Sequence, residues 1–338
     1  MEELKEIILE NALGTRVVLC NYGAMIKEIF TRDKHGNPSN IVLTLPKKEQ
    51  YLAKRTFLGA TVGRVAGRIS NGRCVLPNGE KLYLSKNEKD HHLHGGYLGF
   101  DNQVWSTKVG RKGQDKSVSF YLKAEDGEQG YPGEIKVKVS YILKDSNQLI
   151  IQYEAVTNKD TLFNPTNHTY FNLGGKIDKT INHHILKVNS EYYLPINKDS
   201  IPIGTIMPTN GTIFNLKDGI ILEEILRNKD CSIKEQNGLN HPFLLNKDST
   251  EQLELTEPIS GRVLNIITDC PAVVIYTGNH FSEEDSLLDK SGIRKHGGIA
   301  LECQQLPDAI NNQPHFGNSV LKQGDRFFSQ TIYTFGCV

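Results

Sequence analysis

Three features of the sequence predict an all-β fold. Apolar and polar residues alternate with a period of two in several segments, turn residues separate these segments, and helical periodicity is scarce. Many short strands joined by regular turns are typical of a β-sandwich or a β-barrel. We therefore expect one of these two architectures.

The alternating segments predict strands with one buried face and one exposed face. At residues 135–141 the odd-numbered positions are apolar, and the even-numbered positions are lysine or serine. Residues 118–122 and 252–255 repeat the pattern. More continuously apolar or aromatic segments predict strands that are covered on both faces, and these are residues 17–20, 149–156, 263–267 and 327–335.

Turn residues separate the predicted strands, and few segments show the periodicity of a helix. The best helix candidate is residues 218–228, and a weaker one is residues 47–53. No composition shift, linker or fixed-period repeat marks a boundary, so we expect a single domain over residues 1–338. The turn signals are Gly36-Asn37-Pro38, Pro77-Asn78-Gly79, Gly130-Tyr131-Pro132-Gly133, Asn210-Gly211 and Ser260-Gly261.

Composition narrows the class of partner. The 338 residues contain 39 Lys plus Arg and 39 Asp plus Glu, so the formal net charge is zero. Because there is no basic excess, nucleic acid is not an expected partner. The expected partner is a neutral, polar small molecule. No apolar run is long enough to span a membrane, so no membrane association is expected.

The cysteines and the N-terminus predict a location. Six cysteines occur without any Cys-x-x-Cys pair, so we expect reduced thiols, mostly packed as small hydrophobic groups. The first eleven residues are rich in charge and lack the apolar core of a signal peptide. A cytoplasmic protein is expected.

Two segments concentrate basic side chains near glycines. Arg64 and Arg68 would share one face of an extended segment, where guanidinium groups suit sugar hydroxyls or structural ion pairs. His92 and His94 precede two glycines that allow a close backbone approach. These histidines suggest acid–base chemistry or a structural cluster. A zinc site is a weaker alternative, because no third ligand follows at a typical spacing.

Two other segments place ionisable groups among apolar ones. His168 lies in a polar stretch beside Tyr170 and Phe171, a combination of hydrogen-bonding groups and ring faces that suits a sugar. A half-buried structural histidine with satisfied hydrogen bonds is the alternative. Glu302 interrupts an apolar strand. Burial would raise the pKa of this carboxyl toward the range of a general base, although a structural ion pair would explain it as well.

Taken in order, these segments resemble the aldose 1-epimerase (galactose mutarotase) family over nearly the whole chain. The Asn167-His168 and His94-Gly95-Gly96 pieces are the most specific. The matching pieces are Asn21-Tyr22-Gly23-Ala24, residues 63–69, Leu93-His94-Gly95-Gly96, Gly99-Phe100-Asp101, residues 130–133, residues 166–173, Tyr276-Thr277-Gly278-Asn279 and Leu301-Glu302.

The resemblance implies a large antiparallel β-sandwich with an open sugar-binding cleft, and it implies roles. Glu302 would be the general base at the C1 hydroxyl, His168 the general acid at the ring oxygen, and His94 a hydrogen-bonding assistant at the same end of the sugar. Sugar-holding residues are implied at three positions, Arg68, Tyr170 and Asn240.

The implied reaction needs only proton transfers. Opening a cyclic hemiacetal requires one proton removed and one delivered, and a carboxylate with an imidazolium does both near neutral pH. No redox step occurs, so neither a cofactor nor a metal is expected. The expected partner is a free monosaccharide, and the expected assembly is a monomer or a homodimer.

Three departures from the family pattern concern sugar holding. Asn240 stands where an aspartate is usual, Val274 where a glutamine is frequent, and Gly67 where an asparagine is frequent. An altered sugar preference is therefore a hypothesis. The alternatives are a glycoside hydrolase, which normally needs two carboxylates, a non-catalytic sugar-binding protein, and a hexose-phosphate epimerase on the same fold.

Overall fold

The computed structural model describes residues 3–47, 49–113, 115–175, 179–281 and 291–338. Within these ranges most of the regular structure is β-strand. The strands are β1 (Glu6–Glu10), β2 (Arg16–Cys20), β3 (Met25–Arg32), β4 (Pro38–Asn40), β5 (Thr61–Val62), β6 (Arg68–Ile69), β7 (Arg73–Val75), β8 (Lys81–Tyr83), β9 (His92–Leu93), β10 (Ser106–Lys112), β11 (Asp115–Ala124), β12 (Ile135–Leu143), β13 (Gln148–Thr157), β14 (Thr161–Leu162), β15 (Thr166–Asn167), β16 (Tyr170–Phe171), β17 (Ile185–Val188), β18 (Tyr192–Tyr193), β19 (Met207–Pro208), β20 (Ile220–Ile221), β21 (Asn240–Leu244), β22 (Leu253–Thr256), β23 (Arg262–Thr268), β24 (Ala272–Tyr276), β25 (Ile299–Gln304), β26 (Val320–Leu321) and β27 (Arg326–Cys337).

Two large sheets form the body of the fold. A nine-stranded sheet has the order β10-β11-β12-β13-β27-β23-β22-β17-β20, and a six-stranded sheet has the order β16-β25-β24-β21-β18-β19. Neighbouring strands in both pair antiparallel. One hydrophobic core joins the two sheets, with Val139 and Ile151 from the first and Val273 and Leu301 from the second. The prediction of an all-β sandwich is confirmed.

The six-stranded sheet directs alternate residues to opposite sides. In β25, Leu301 and Cys303 point into the core shared with the nine-stranded sheet, so Glu302 and Gln304 point the other way. In β24, Val273 and Ile275 are core residues, and Tyr276 lies on the side of Glu302. The side of this sheet that faces away from the core therefore carries polar and ionisable groups.

The burial of β27 differs from the sequence-based expectation. Residues 327–335 were expected to be covered on both faces, but buried residues alternate with more exposed ones along this strand. Phe328 is 56% exposed. The strand contributes one face to the core, and its other face is not covered by a second layer. Residues 149–156 do lie in a largely buried strand, as predicted.

Helices are short. The prediction at residues 218–228 is right for five residues only, because Ile220 and Ile221 pair with β17 as a strand. A further helix escaped prediction, although Asp230 accepts hydrogen bonds from the backbone at Ser232 and Ile233 as an N-cap. The helices are α1 (Gln50–Ala53), α2 (Leu222–Leu226) and α3 (Cys231–Gln236).

Four of the six cysteines are buried. Their burial agrees with the expectation that the cysteines pack mostly as hydrophobic side chains. In the described part of the chain, no helix has both the length and the apolar character of a membrane span.

Candidate active site

A cavity of about 160 Å³ opens on the side of β24 and β25 that faces away from the core. The six site residues expected from the sequence all lie in its wall. Its lining residues are Phe57, Gly67, Arg68, Glu88, Leu93, His94, His168, Tyr170, Ile196, Ser200, Asn240, Pro242, Val274, Tyr276, His280, Glu302, Gln304 and Pro307.

Glu302 and His168 are in contact at the base of this cavity. Nε2 of His168 lies 3.3 Å from Oε1 of Glu302, and both side chains are buried. Glu302 is held by β25, whereas His168 directly follows β15. Asn167 fixes the turn at this point, since its side chain donates to the carbonyl oxygen of Gly59 and accepts from the backbone N–H of Thr169.

Burial decides how this pair is protonated. Desolvation raises the pKa of Glu302 to about 8, although the positive charge of Arg68 opposes the rise. Desolvation likewise lowers the pKa of His168 to about 4. Because the two pKa values are displaced in opposite directions, the pair holds one exchangeable proton around neutral pH. The sequence-based expectation of one carboxylate and one imidazolium involves the same number of protons.

The ring nitrogen of His168 that faces Glu302 is Nε2. Hydrogen bonding of the ring to the backbone of His168 itself favours the protonated ring. The proton that the pair exchanges is therefore the one on Nε2, and a ring that has given it up keeps its other hydrogen on Nδ1.

His94 has a different state from His168. Its Nδ1 accepts a hydrogen bond of 3.2 Å from the backbone N–H of Gly67, which places the hydrogen of the neutral ring on Nε2. Burial, and then the proximity of His168, hold the pKa of His94 well below its usual value. The two rings meet edge to face at 5.3 Å. His94 is therefore a neutral hydrogen-bond donor.

The glycine after His94 makes this position possible. A Cβ atom at Gly95 would lie 1.7 Å from the carbonyl oxygen of Gly63, and φ at Gly95 is +83°. The expected close approach of the backbone is thus present, and it is an approach to a neighbouring segment of the chain.

Phe57 packs against the two candidate histidines, and the sequence analysis did not single it out. Its ring lies 4.8 Å from that of His94 and stacks at 5.9 Å on that of His168. The guanidinium carbon of Arg55 lies 4.6 Å from the centroid of the Phe57 ring, and Arg55 is itself held by two hydrogen bonds to Asp101. No periodicity or motif in the sequence marks Phe57, because its role depends on contacts between distant segments.

Arg68 reaches the cavity, but Arg64 does not. Arg68 makes a bidentate ion pair with Glu88, a residue that the sequence did not single out. Arg64 is buried elsewhere and donates to the carbonyl oxygen of Pro132. The expectation of a shared face is wrong because Gly67, with φ of +74°, interrupts the extended backbone between them.

Tyr170 and Asn240 form other parts of the wall. The ring of Tyr170 lies 4.8 Å from that of His168 and 6.0 Å from that of Tyr276. The amide nitrogen of Asn240 donates to Ser200 at 2.9 Å and to a glutamine on α3 at 3.2 Å. The wall therefore combines ring faces with polar groups, as carbohydrate recognition requires.

The arrangement of histidines removes one metal hypothesis. Nδ1 of His92 pairs with the carbonyl oxygen of Ser85, and its Nε2 pairs with the hydroxyl of Tyr131, both at 2.7 Å. His92 is therefore a structural residue and offers no ligand beside His94. A different group, His94 with His168 and Glu302, has donor atoms within 4.8 Å of one another, and this spacing motivates a chelation test.

Comparison with known proteins places this geometry in a family. The model of the aldose 1-epimerase family matches residues 5–334. The chain is 37% identical over 325 residues to human galactose mutarotase, covering 95% of this chain and 91% of that protein. It is 33% identical over 334 residues to the aldose 1-epimerase of Haemophilus influenzae, with coverage of 97% and 95%.

Solved structures agree with the sequence relatives. The galactose 1-epimerase of Lactobacillus acidophilus superposes with a TM-score of 0.89 at 35% identity, covering 99% of this chain and 95% of that one. An aldose epimerase homologue from C. elegans gives 0.88 at 28% identity, with coverage of 99% and 100%. The resemblance identified from the motifs is confirmed, and the chain belongs to the aldose 1-epimerase family.

Proposed function

We propose that the protein is a mutarotase that interconverts the α and β anomers of a free aldohexose such as galactose or glucose. The observation that carries this function is the contact between His168 and Glu302 in the cavity wall, with one exchangeable proton between them. A group that accepts a proton beside one that delivers it is what opening of a cyclic hemiacetal requires. Membership of the aldose 1-epimerase family supports the same reaction.

Ring opening would proceed by two proton transfers. Glu302, as carboxylate, takes the proton from the C1 hydroxyl, and the electrons of that O–H bond form the C1=O double bond. The bond between C1 and the ring oxygen breaks, and Nε2–H of His168 protonates the leaving ring oxygen. After rotation about C1–C2, both transfers reverse on the other face of the aldehyde.

The proton balance of the pair fits this cycle. Before ring opening the single proton is on His168, and after ring opening it is on Glu302. Burial of both groups favours the neutral arrangement, whereas their contact at 3.3 Å favours the ion pair. The Nε2–H of His94 would stabilise the negative charge of the ion-pair form near the anomeric oxygen.

Sugar holding is assigned to Arg68, Tyr170 and Asn240, all of which line the cavity. Val274 lies directly opposite Glu302 in the strand register and presents an apolar surface. Together with Gly67 and the neutral amide of Asn240, it supports the hypothesis of a sugar preference that differs from the usual family pattern.

Other parts of the proposal concern context. We infer that residues 1–338 act as one domain, because one core contains residues from both large sheets. The small number of cysteines and the absence of a Cys-x-x-Cys pair from the sequence support a cytoplasmic location, and zero net charge argues against nucleic acid as a partner. A monomer or a homodimer that uses no cofactor completes the proposal.

Polarimetry tests the function directly. Freshly dissolved α-galactose or α-glucose should approach its equilibrium rotation faster with the protein than without it. Glu302→Gln should slow this by on the order of 10²–10⁴-fold while still binding sugar in a calorimetric titration. Sugar binding without any acceleration by the wild-type protein would mean a non-catalytic sugar-binding role.

A further inference from the structure

Gln304 lies in the cavity wall beside the catalytic pair, and neither the motifs nor the proposed reaction assigns it a role. It is two residues beyond Glu302 on β25, so both side chains leave the strand on the same side. Gln304 is 1% exposed, yet it lines the cavity. The side chain is therefore enclosed by protein except where it meets the space that a ligand would fill.

The amide of Gln304 is unsatisfied. Neither Oε1 nor Nε2 has a hydrogen-bond partner among the residues that the structure describes. An amide has two donor hydrogens and an acceptor oxygen, and leaving these groups buried without partners is costly. Such a group in a cavity wall is explained if a bound molecule completes its hydrogen bonds.

A second buried glutamine shows how this chain satisfies an amide where no ligand is involved. Gln252 is also 1% exposed. Its Nε2 donates to the carbonyl oxygens of Asn246 and Thr268, and its Oε1 accepts from the backbone N–H of Thr268 at 2.6 Å. The two glutamines have equal burial and opposite hydrogen-bonding states, so burial alone does not explain Gln304.

The backbone next to Gln304 leaves its amide open to the cavity. A Cβ atom at Gly67 would lie 3.5 Å from Nε2 of Gln304 and 3.2 Å from Cβ of Pro307. A polar side chain at position 67 would lie against the amide and compete for its hydrogen bonds. Glycine leaves that space to a ligand.

We propose that the amide of Gln304 binds a hydroxyl group of the sugar other than the anomeric one. An amide that donates and accepts matches a hydroxyl, which does the same. Successive residues on one face of a strand are separated by about 6.5 Å, so a sugar whose anomeric oxygen meets Glu302 presents a different hydroxyl to Gln304. The inference rests on the proposed function, because it uses the same sugar in the same cavity.

A comparison of two methionine variants, one at Gln304 and one at Gln252, tests the proposal. Gln304→Met keeps the length of the side chain and removes the amide. Without sugar, its melting temperature should equal or exceed that of the wild type, because an unpaired polar group is replaced by an apolar one. Its dissociation constant for the preferred sugar, measured by calorimetry, should rise about tenfold. The matched control, Gln252→Met, should melt at a lower temperature and bind sugar as tightly as the wild type.

Deoxy sugars identify the hydroxyl. Dissociation constants of the wild type and of Gln304→Met are compared for the sugar and for its 2-, 3-, 4- and 6-deoxy forms. Removing the hydroxyl that Gln304 binds should weaken binding to the wild type and leave binding to the variant almost unchanged. Equal losses in both proteins for every deoxy sugar would overturn the proposal.

A second apolar variant and the melting temperatures distinguish a structural role of Gln304 from a role in sugar binding. Gln304→Leu repeats the test with another apolar side chain. If both variants melt well below the wild type, or if both bind the unmodified sugar normally, Gln304 has a structural role and the proposal is wrong. The binding measurement does not depend on mutarotation. If the wild type shows no mutarotation and Gln304→Met still loses sugar affinity, the proposed reaction is refuted and the role of Gln304 in sugar binding stands.

Discussion

The backbone N–H of Gly67 donates a hydrogen bond of 3.2 Å to Nδ1 of His94. This contact fixes the tautomer of a buried histidine and turns its Nε2–H into a donor at the cavity. The glycine that precedes Arg68, a residue of the cavity wall, thus also orients a catalytic candidate. Because the donor is a backbone group, an asparagine at position 67, which tolerates the φ of +74° found there, is compatible with the same role for His94.

His94→Phe should reduce kcat by on the order of 10²–10³-fold, because a preorganised donor near the anomeric oxygen is lost. The pH limits of the remaining activity should not move, because burial keeps His94 neutral over the working range. Stopped-flow polarimetry over a pH series measures both.

His92→Gln is the contrasting variant, which should lower the melting temperature, since His92 pairs within the protein. A shifted pH limit in His94→Phe would show that His94 titrates during turnover.

The pH profile of kcat/KM should be bell-shaped, with limits near the pKa values of about 4 for His168 and about 8 for Glu302. Below the lower value both groups are protonated and no base remains, and above the upper value neither group carries the proton that the acid must deliver. A profile that keeps rising beyond pH 9 would contradict the single-proton pair.

Arg68→Met should move the alkaline limit upward, because the charge of Arg68 lowers the pKa of Glu302. KM should rise in the same variant, since Arg68 lines the cavity. Arg227→Met is the control, because this arginine directly follows α2, is exposed and pairs only with Glu223 among the described residues. An unchanged alkaline limit in Arg68→Met would mean that Arg68 does not influence Glu302.

Glu302→Gln should change the dependence of stability on pH. The pKa of Glu302 is raised in the folded state, so the folded protein binds more protons than the unfolded chain between about pH 4.5 and pH 8. Stability falls as pH rises through this window, and the variant should lose this fall. The free energy of unfolding of the variant minus that of the wild type should therefore be larger at pH 8 than at pH 5, by a few kcal/mol. Urea titrations at both pH values measure this, and parallel curves would refute a raised pKa.

Chelation should leave the rate unchanged. His94, His168 and Glu302 are spaced closely enough to bind a metal ion, but the proposed reaction uses them for proton transfer and hydrogen bonding. Dialysis against EDTA followed by polarimetry tests this. Activity that is lost on dialysis and restored by a divalent metal would replace the acid–base mechanism with a metal-assisted one.

Val274→Gln should alter the ratio of kcat/KM between galactose and glucose by about tenfold. Residue 274 lies opposite Glu302 in the register, so an amide there would offer hydrogen bonds at the base of the cavity. Initial rates with both sugars give the ratio. If the wild type uses both with equal and high efficiency and the variant does the same, the altered-preference hypothesis fails.

Some structural predictions were right because they depended on local patterns. Period-two alternation identified the strand that contains residues 135–141, and a glycine pair after His94 identified a close backbone approach. The predictions for Arg64 and for β27 failed because they needed information from elsewhere in the fold. Arg64 is directed by a backbone change at Gly67, and the exposure of Phe328 depends on which face of the sheet another layer covers.

The sequence by itself determined the all-β class, the family and the identities of Glu302, His168 and His94 as candidates, because strand periodicity and motif residues are readable along the chain. Only the tertiary structure decided that these three meet, that burial raises the pKa of Glu302, and that the amide of Gln304 lacks a partner among the described residues. The physical reason is that proximity, desolvation and hydrogen-bond satisfaction depend on the packing of segments that are distant in the sequence.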